Sequence, residues 1–463
     1  MPGVEPLLAI AEITATELTL FAAAGFLVGA LGDLIIDGLW IGLKLRALSG
    51  KTRSETAIED LRPTVRPGRH AVFVPAWQEA GVIGTMLETT GWRFAGQDYR
   101  LFVGCYANDP DTIAEARAVA ARQPNIRVVI NSQPGPTTKA DCLNTLYQML
   151  VAEERRTEIR FKSVILHDAE DLVHPSEIPL FDAMIEHHAL VQIPMVPLPD
   201  PRSRWIAGHY CDEFAEAHGK DLVVRAALRA GVPSAGVGCA IRRDILQKIA
   251  EERGGAPFHP DSLTEDYELG LTVAERGGSG RFVRVREEQG SGLIAIHSHF
   301  PATLGAAVRQ KTRWVQGIAL YGWERLGWHR GWADFGMRLR DRSSILAALI
   351  LSAAYLAMAL AFALLLVSLA TPYTLPVLSE GLMLLLQINA VLLAWRLMVR
   401  GFFTGKTYGW MEGLLAIPRA VIGNIIAMMA ARRAMTGYLF APRDRPPQWD
   451  KTDHIFPEIA EAP

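Results

Sequence analysis

"KSVILHDAEDLVHP", residues 162–175, decides how this chain folds. A short apolar run at 164–166 ends in Asp168, Glu170 and Asp171, three carboxylates within four residues. Such crowding of like charge is costly unless something cationic joins it. Short apolar runs that end in polar residues fit a mostly parallel sheet, whose ligands sit beyond the carboxyl ends of its strands. Three other stretches read the same way: "HAVFVPAW" (70–77), "YRLFVGCY" (99–106) and "IRVVIN" (126–131). Each follows a helix-like or turn-like segment, as right-handed strand–helix–strand units require. Behind the first come Gln78 and Glu79, and behind the second Asn108, Asp109 and Asp111. An α/β domain over residues 66–305 is expected.

For this run of three carboxylates a divalent cation, Mg²⁺ or Mn²⁺, is one partner, because hard cations take one or two carboxylates and complete their shells with phosphate oxygens. An acidic loop that caps the next helix is the other reading. "SLTEDYELG" (262–270) places Glu265 and Asp266 directly behind Thr264. That is either a helix cap with favourable first-turn acids, or a carboxylate positioned to take a proton from an attacking hydroxyl. "TTKADCLN" (137–144) sets Lys139, Asp141 and Asn144 at a helix start, where an ammonium and free N–H groups suit an anion. In "AAVRQKTRWVQGIALYGW" (306–323), Gln310, Arg313 and Trp314 share one side of a helix. Beyond it, Trp323, Trp328 and Trp332 suit anchorage at a membrane interface.

At 463 residues and 50% hydrophobic content the chain is long for one domain and apolar for a soluble one, and its net charge of −2 does not point to nucleic acid. Cys105, Cys142, Cys211 and Cys239 are far apart, which fits free thiols in a reducing compartment better than zinc or a disulfide framework. Residues 345–370 carry no charge, and 381–399 are nearly as apolar; with "TPYTLP" (371–376) between them they read as a hairpin of two crossings. The first 43 residues contain no Lys or Arg, and Lys44, Arg46, Lys51 and Arg53 follow. This charge order predicts an uncleaved anchor with its N-terminus outside and the middle of the chain inside. Asp33 and Asp37 share one face of that anchor, with Lys44 or Arg46 as expected partners. Residues 414–431 include Arg419 and Asn424 and have basic residues on both sides, so they are expected to be re-entrant or interfacial. The predicted organisation is an anchor (1–45), the α/β domain (66–305), interfacial helices (306–344), a transmembrane hairpin (345–400) and a re-entrant or interfacial helix with a cytoplasmic tail (401–463).

Taken in order, "VPAWQE", "KADCLN", "DAED", "TED" and "QKTRW" resemble the motif set of family 2 processive glycosyltransferases, the group of cellulose, chitin and hyaluronan synthases. Through "NDPDT", "HDAEDLVHP", "RQKTRWVQGI" and the terminal "WDKTDHIFP", the chain is similar to the bacteriophage adsorption protein B type of membrane glycosyltransferase. The resemblance implies a GT-A-like, Rossmann-like domain in a bacterial inner-membrane protein, with a cytoplasmic site that moves sugar from a nucleotide-diphosphate donor, UDP-linked by family expectation, onto a growing exopolysaccharide. It implies Asp266, with Glu265 beside it, as catalytic base and Asp168 and Glu170 on the metal. Glu79, Asp109, Lys139, Asp141 and Arg313 would meet the nucleotide sugar, and Gln310, Trp314 and Thr264 the acceptor, a saccharide or a lipid-linked group. Where relatives have a second aspartate this chain has Glu170, followed by Asp171, so either could face the metal. Three crossings are few for a polymer channel, which points to a homo-oligomer or an export partner. The short stretch after residue 440 leads us to expect no separate cyclic-dinucleotide sensor.

Overall fold

The computed structural model describes residues 5–49, 56–288, 292–329, 331–440 and 454–457. Lys51, Arg53 and most of the terminal "WDKTDHIFP" lie outside these residues. The middle of the chain is a seven-stranded sheet: β1 (His70–Pro75), β2 (Tyr99–Tyr106), β3 (Ile126–Asn131), β4 (Ser163–Leu166), β5 (Leu190–Gln192), β6 (Cys239–Arg242) and β7 (Gly280–Phe282). The strand order is β3-β2-β1-β4-β6-β5-β7. Only β6 runs against its neighbours; the other pairings are parallel.

β1 is buried along its whole length, so both faces of its pleat must be covered. Val72 and Val74 pack on one side with Ile83, Met86 and Leu87 of helix α2 (Ile83–Arg93) and with α3 (Pro110–Ala120). Ala71 and Phe73 pack on the other with Leu143, Leu146 and Leu150 of α4 (Lys139–Thr157). The result is three layers with helices on both faces of the sheet. From β1 the chain steps outward to β2 and β3, then returns through α4 to β4 on the opposite side of β1. A crevice opens at this reversal, beyond the ends of β1 and β4.

Four helices are long and apolar enough to cross a membrane: α1 (Glu5–Leu48), α9 (Ser344–Ala370), α10 (Glu380–Tyr408) and α11 (Trp410–Phe440). The expected hairpin of the 345–400 region is opened. α9 packs along α1, while α10 packs chiefly on α11 and also touches α1. Small residues on α1 explain the choice, because Ala22 receives Ile350 and Ala353 of α9. Glycines explain the second pair: a Cβ on Gly413 would stand 2.6 Å from the Gly401 carbonyl oxygen and 2.9 Å from the Gly405 Cα.

Asp33 and Asp37 do not pair with Lys44 or Arg46 as expected. Asp37 instead accepts Lys220 Nζ at 2.6 Å and Trp395 Nε1 at 2.8 Å, and Asp33 accepts Arg340 at 2.6 Å. These partners come from the α/β domain, from α10 and from α8 (Trp332–Arg342), so the aspartates tie the anchor to the rest of the molecule.

α11 does not turn back on itself, so the re-entrant alternative for 414–431 is not seen. It lies against α5 (Ile206–Glu216) and α7 (Leu304–Val315). Arg419 is buried and grips Asp212 of α5 at 2.7 and 3.0 Å. Further along, Thr312 and Gln316 reach the carbonyls of Ala430 and Ala434 at 3.5 and 3.3 Å. The steady four-residue step of these contacts means that α7 and the second half of α11 run side by side in the same direction.

Candidate active site

A cavity of about 520 Å³ opens at the reversal point. Its walls bring together Glu79, Lys139, Asp168, Glu170, Thr264, Glu265, Asp266, Gln310, Arg313 and Trp314, all expected from sequence. Each is delivered by a definable local feature. Glu79 follows β1 in a loop held by the start of α3: Asp109 Oδ2 accepts the Gln78 N–H at 2.6 Å and Thr112 Oγ1 accepts the Glu79 N–H at 2.9 Å. Asp109 therefore positions the loop and does not line the cavity. Asp141 likewise lies outside, accepting Asn131 Nδ2 at 3.1 Å. Lys139 begins α4, whose first turn is capped by Thr138 accepting the Asp141 N–H at 3.1 Å.

After β4 the acidic run divides. Asp171 turns into the protein, where its Oδ2 accepts the Asp168 N–H at 2.9 Å and faces His167 Nδ1 at 3.2 Å. His167 Nε2 meets Glu177 at 2.9 Å. Burial alone would lower the pKa of this imidazole, but Glu177 and Asp171 outweigh it and raise the value to about 10. Asp171 is thus a buried counter-ion, and Glu170 is the acid that faces the cavity. Burial, reinforced by Asp168 and Glu79 and opposed by His454, lifts Glu170 to about 8.

The two acidic motifs are joined by one cation. Lys139 Nζ is 2.5 Å from Asp168 and 3.8 Å from Glu265. Burial raises Glu265 to about 7, with Lys139 pulling down and Asp266 pushing up. Burial raises Asp266 as well, against the pull of Lys139 and Arg313. Both acids open helix α6 (Glu265–Glu275). Gly236, at φ 77, lets the neighbouring loop close on Asp266, since a Cβ there would stand 2.7 Å from Oδ2. Trp314 stands edge-on to Tyr210 with ring centroids 6.1 Å apart, and Lys311 lies 4.9 Å over its indole.

Not every residue of the cavity was singled out from sequence. His454, which follows the four long apolar helices of the described residues, returns to the cavity and places Nδ1 2.9 Å from Glu79 Oε1 and 3.3 Å from Glu170 Oε2. Burial would lower its pKa, but Glu170 and Glu79 raise it to about 9. Ligand atoms of Glu79, Glu170 and His454 all lie within 4.8 Å of one another. Two carboxylates and an imidazole fit a divalent metal, and Glu170 Oε2 is buried without a hydrogen bond. Asp168, also expected on the metal, pairs with Lys139 and is not one of these three residues. The only sequence signal for His454 is its place in "WDKTDHIFP", quoted above for family likeness alone.

The family described as "Glycosyltransferase like family 2" matches residues 67–317. Bacteriophage adsorption protein B of Escherichia coli (strain K12) and bacteriophage N4 adsorption protein B of Escherichia coli O157:H7 are each 36% identical over 455 residues, 93% of this chain. The chain spans 61% of the length of these relatives. Among solved structures, the mannosyltransferase PcManGT from Pyrobaculum calidifontis, in complex with GDP-Man and Mn²⁺, shares the fold: TM-score 0.53, 17% identity, covering 90% of this chain and 99% of that one. The matched segment contains the whole seven-stranded sheet and every acid of the cavity, leaving His454 outside it, and the chain belongs to the glycosyltransferase-like family 2.

Proposed function

We propose that the protein is an inverting, metal-dependent hexosyltransferase that takes a nucleotide-diphosphate sugar, UDP-linked in the first instance, and extends an exopolysaccharide at the inner membrane. The observation that supports this most is the meeting of Asp266, Arg313 and the Glu79–Glu170–His454 triad in one cavity at the sheet's reversal point.

Glu79, Glu170 and His454 would hold Mn²⁺ or Mg²⁺, which neutralises diphosphate charge when bound. The two carboxylates suit either ion. Asp266 accepts the proton of the acceptor hydroxyl. The oxygen so freed forms a bond to the anomeric carbon as the bond from that carbon to the diphosphate oxygen breaks, and the configuration inverts. The raised pKa of Asp266 makes it a better base than an exposed aspartate. Arg313 faces the leaving oxygen, where its fork of donors meets negative charge as it develops. Lys139 is released from Asp168 to the diphosphate, and Trp314 offers a flat apolar face to the acceptor sugar.

For topology, the charge order places the N-terminus outside and the cavity in the cytoplasm. α11 is then interfacial: near its start Glu412 pairs with Arg204 of the α/β domain at 2.9 Å, and near its end Tyr438 pairs with Glu324 of the 306–344 segment. An export partner or a second copy would complete the route for a polymer.

The test is nucleotide release by detergent-purified protein offered nucleotide sugars with Mn²⁺, Mg²⁺ or EDTA. Replacing Asp266 by Asn is expected to lower turnover by ~10²–10⁴ while donor affinity stays within about twofold. Substantial turnover by the variant would remove Asp266 from the role of base.

A further inference from the structure

The membrane helices carry a polar group that the chain itself leaves unmet. Three amide side chains lie within the four long apolar helices: Gln387 and Asn389 on α10 and Asn424 on α11. Two are spent inside the molecule. Asn389 Nδ2 donates to the carbonyls of Ala23 at 3.0 Å and Leu385 at 2.9 Å, and Asn424 Nδ2 reaches the Tyr355 hydroxyl at 3.5 Å. Gln387 is exposed and, among the described residues, makes no hydrogen bond. It stands about 10 Å along the helix from Glu380, at a rise of about 1.5 Å per residue, and so falls within a hydrocarbon layer about 30 Å thick. Lipid tails offer an amide no partner, and an unmet one there is costly. Its neighbours form a regular seam. Leu384, Gln387, Val391, Ala394 and Met398 follow one another at steps of three and four residues, the spacing that keeps one helix face against another. All five are exposed, Leu384, Val391 and Met398 by 58, 71 and 56%. α10 is also the least covered of the four long helices.

We propose that this seam is where two copies of the chain meet, α10 against α10, with Gln387 paired to Gln387 inside the bilayer. An unrelated membrane helix would need a polar group of its own at the same depth, whereas a second copy brings one by symmetry. Copies inserted in one orientation meet as parallel helices about a two-fold axis, so each seam residue faces its counterpart. An amide is both donor and acceptor, and Nε2 of one Gln387 donates to Oε1 of the other. Ala394, two turns further on, is small enough for the backbones to approach. The flanking charges do not oppose the contact. Arg396 and Arg400 turn to Glu216, Asp33 and Asp212 of their own chain, and Glu380, on the seam's side, ends the helix where water screens it. The inference rests on α10 crossing the bilayer and is independent of the transfer chemistry.

The test is energy transfer between donor- and acceptor-labelled copies of the full chain in phosphatidylcholine vesicles, read as added lipid dilutes the protein. Transfer that persists on dilution is expected of the native chain. Q387L should raise the dissociation constant ~3–30-fold, the range for a polar contact between membrane helices. Q387N, which keeps a shorter amide, should fall between the two. A thermal midpoint of Q387L in detergent no lower than the native one reports that the variant is folded. Oxidative cross-linking locates the face. Cys105, Cys142, Cys211 and Cys239 are buried, so A394C should join two chains, while L393C, exposed on another side of α10, should not. Transfer by the native chain that falls away in proportion to dilution would overturn the pairing and leave the amide to a different membrane protein. Dimers that Q387L does not weaken, or L393C joining chains as readily as A394C, would overturn the seam.

Discussion

His454 shows how much a single side chain adds. Glu79 and Glu170 alone are two acids in a partly buried wall; with the imidazole 2.9 and 3.3 Å away they become a three-point cluster. Loss of a residue that merely orients a metal ligand costs ~10–100-fold in affinity, so loss of a ligand itself should cost no less. Replacing His454 by Ala is expected to weaken Mn²⁺ binding at least ~tenfold, read by electron paramagnetic resonance of free Mn²⁺, and unchanged affinity would strike His454 from the metal set. Sequence made the acids behind β1 and β4 legible, since a strand's end fixes where its next residues point. It did not show which acid turns inward, because Glu170 and Asp171 are neighbours and only the packing of His167 against Glu177 decides between them. Nor does any local pattern say that position 454 returns to position 79.

Elements were legible in proportion to their length and periodicity. The apolar stretches at 99–106 and 126–131 match β2 and β3 residue for residue. β5 and β7, three residues each, are too short to have a period. Helices at 345–370 and 381–399 were readable from composition, but their partners were not, because hydrocarbon-facing surfaces look alike and packing is settled by small residues. The α10–α11 contact through Gly401, Gly405 and Gly413 gives a direct check. Gly413→Val forces the two helices apart and is expected to cost ~1–3 kcal/mol, seen as a lower melting temperature in detergent. Gly29→Ala, whose Cβ meets nothing within 4 Å, serves as the neutral control. Equal melting temperatures for the two variants would mean that the glycine contact does not hold α10 to α11.

Across the whole molecule, the anchor and the α/β domain meet at a cluster of charges. Lys220, almost wholly buried, lies 2.6 Å from Asp37 and 2.7 Å from Glu216, and Arg396 of α10 also pairs with Glu216. Removing one member of such a set leaves another charge buried and underpaired. Asp37→Ala is expected to lower stability by ~3 kcal/mol, at the lower end of the usual range because Glu216 still faces Lys220. The readout is the thermal midpoint of detergent-purified protein, and a shift no larger than that of Gly29→Ala would show that the cluster does not hold the anchor. The tail has a different consequence, one of timing. On the metal reading, a chain emerging from the ribosome acquires its sheet, its base and Arg313 long before His454 is made. The third ligand arrives only after the four long apolar helices among the described residues have been synthesised. A half-inserted chain would thus hold a folded but poorly metallated site, and sugar transfer would await the synthesis of residue 454.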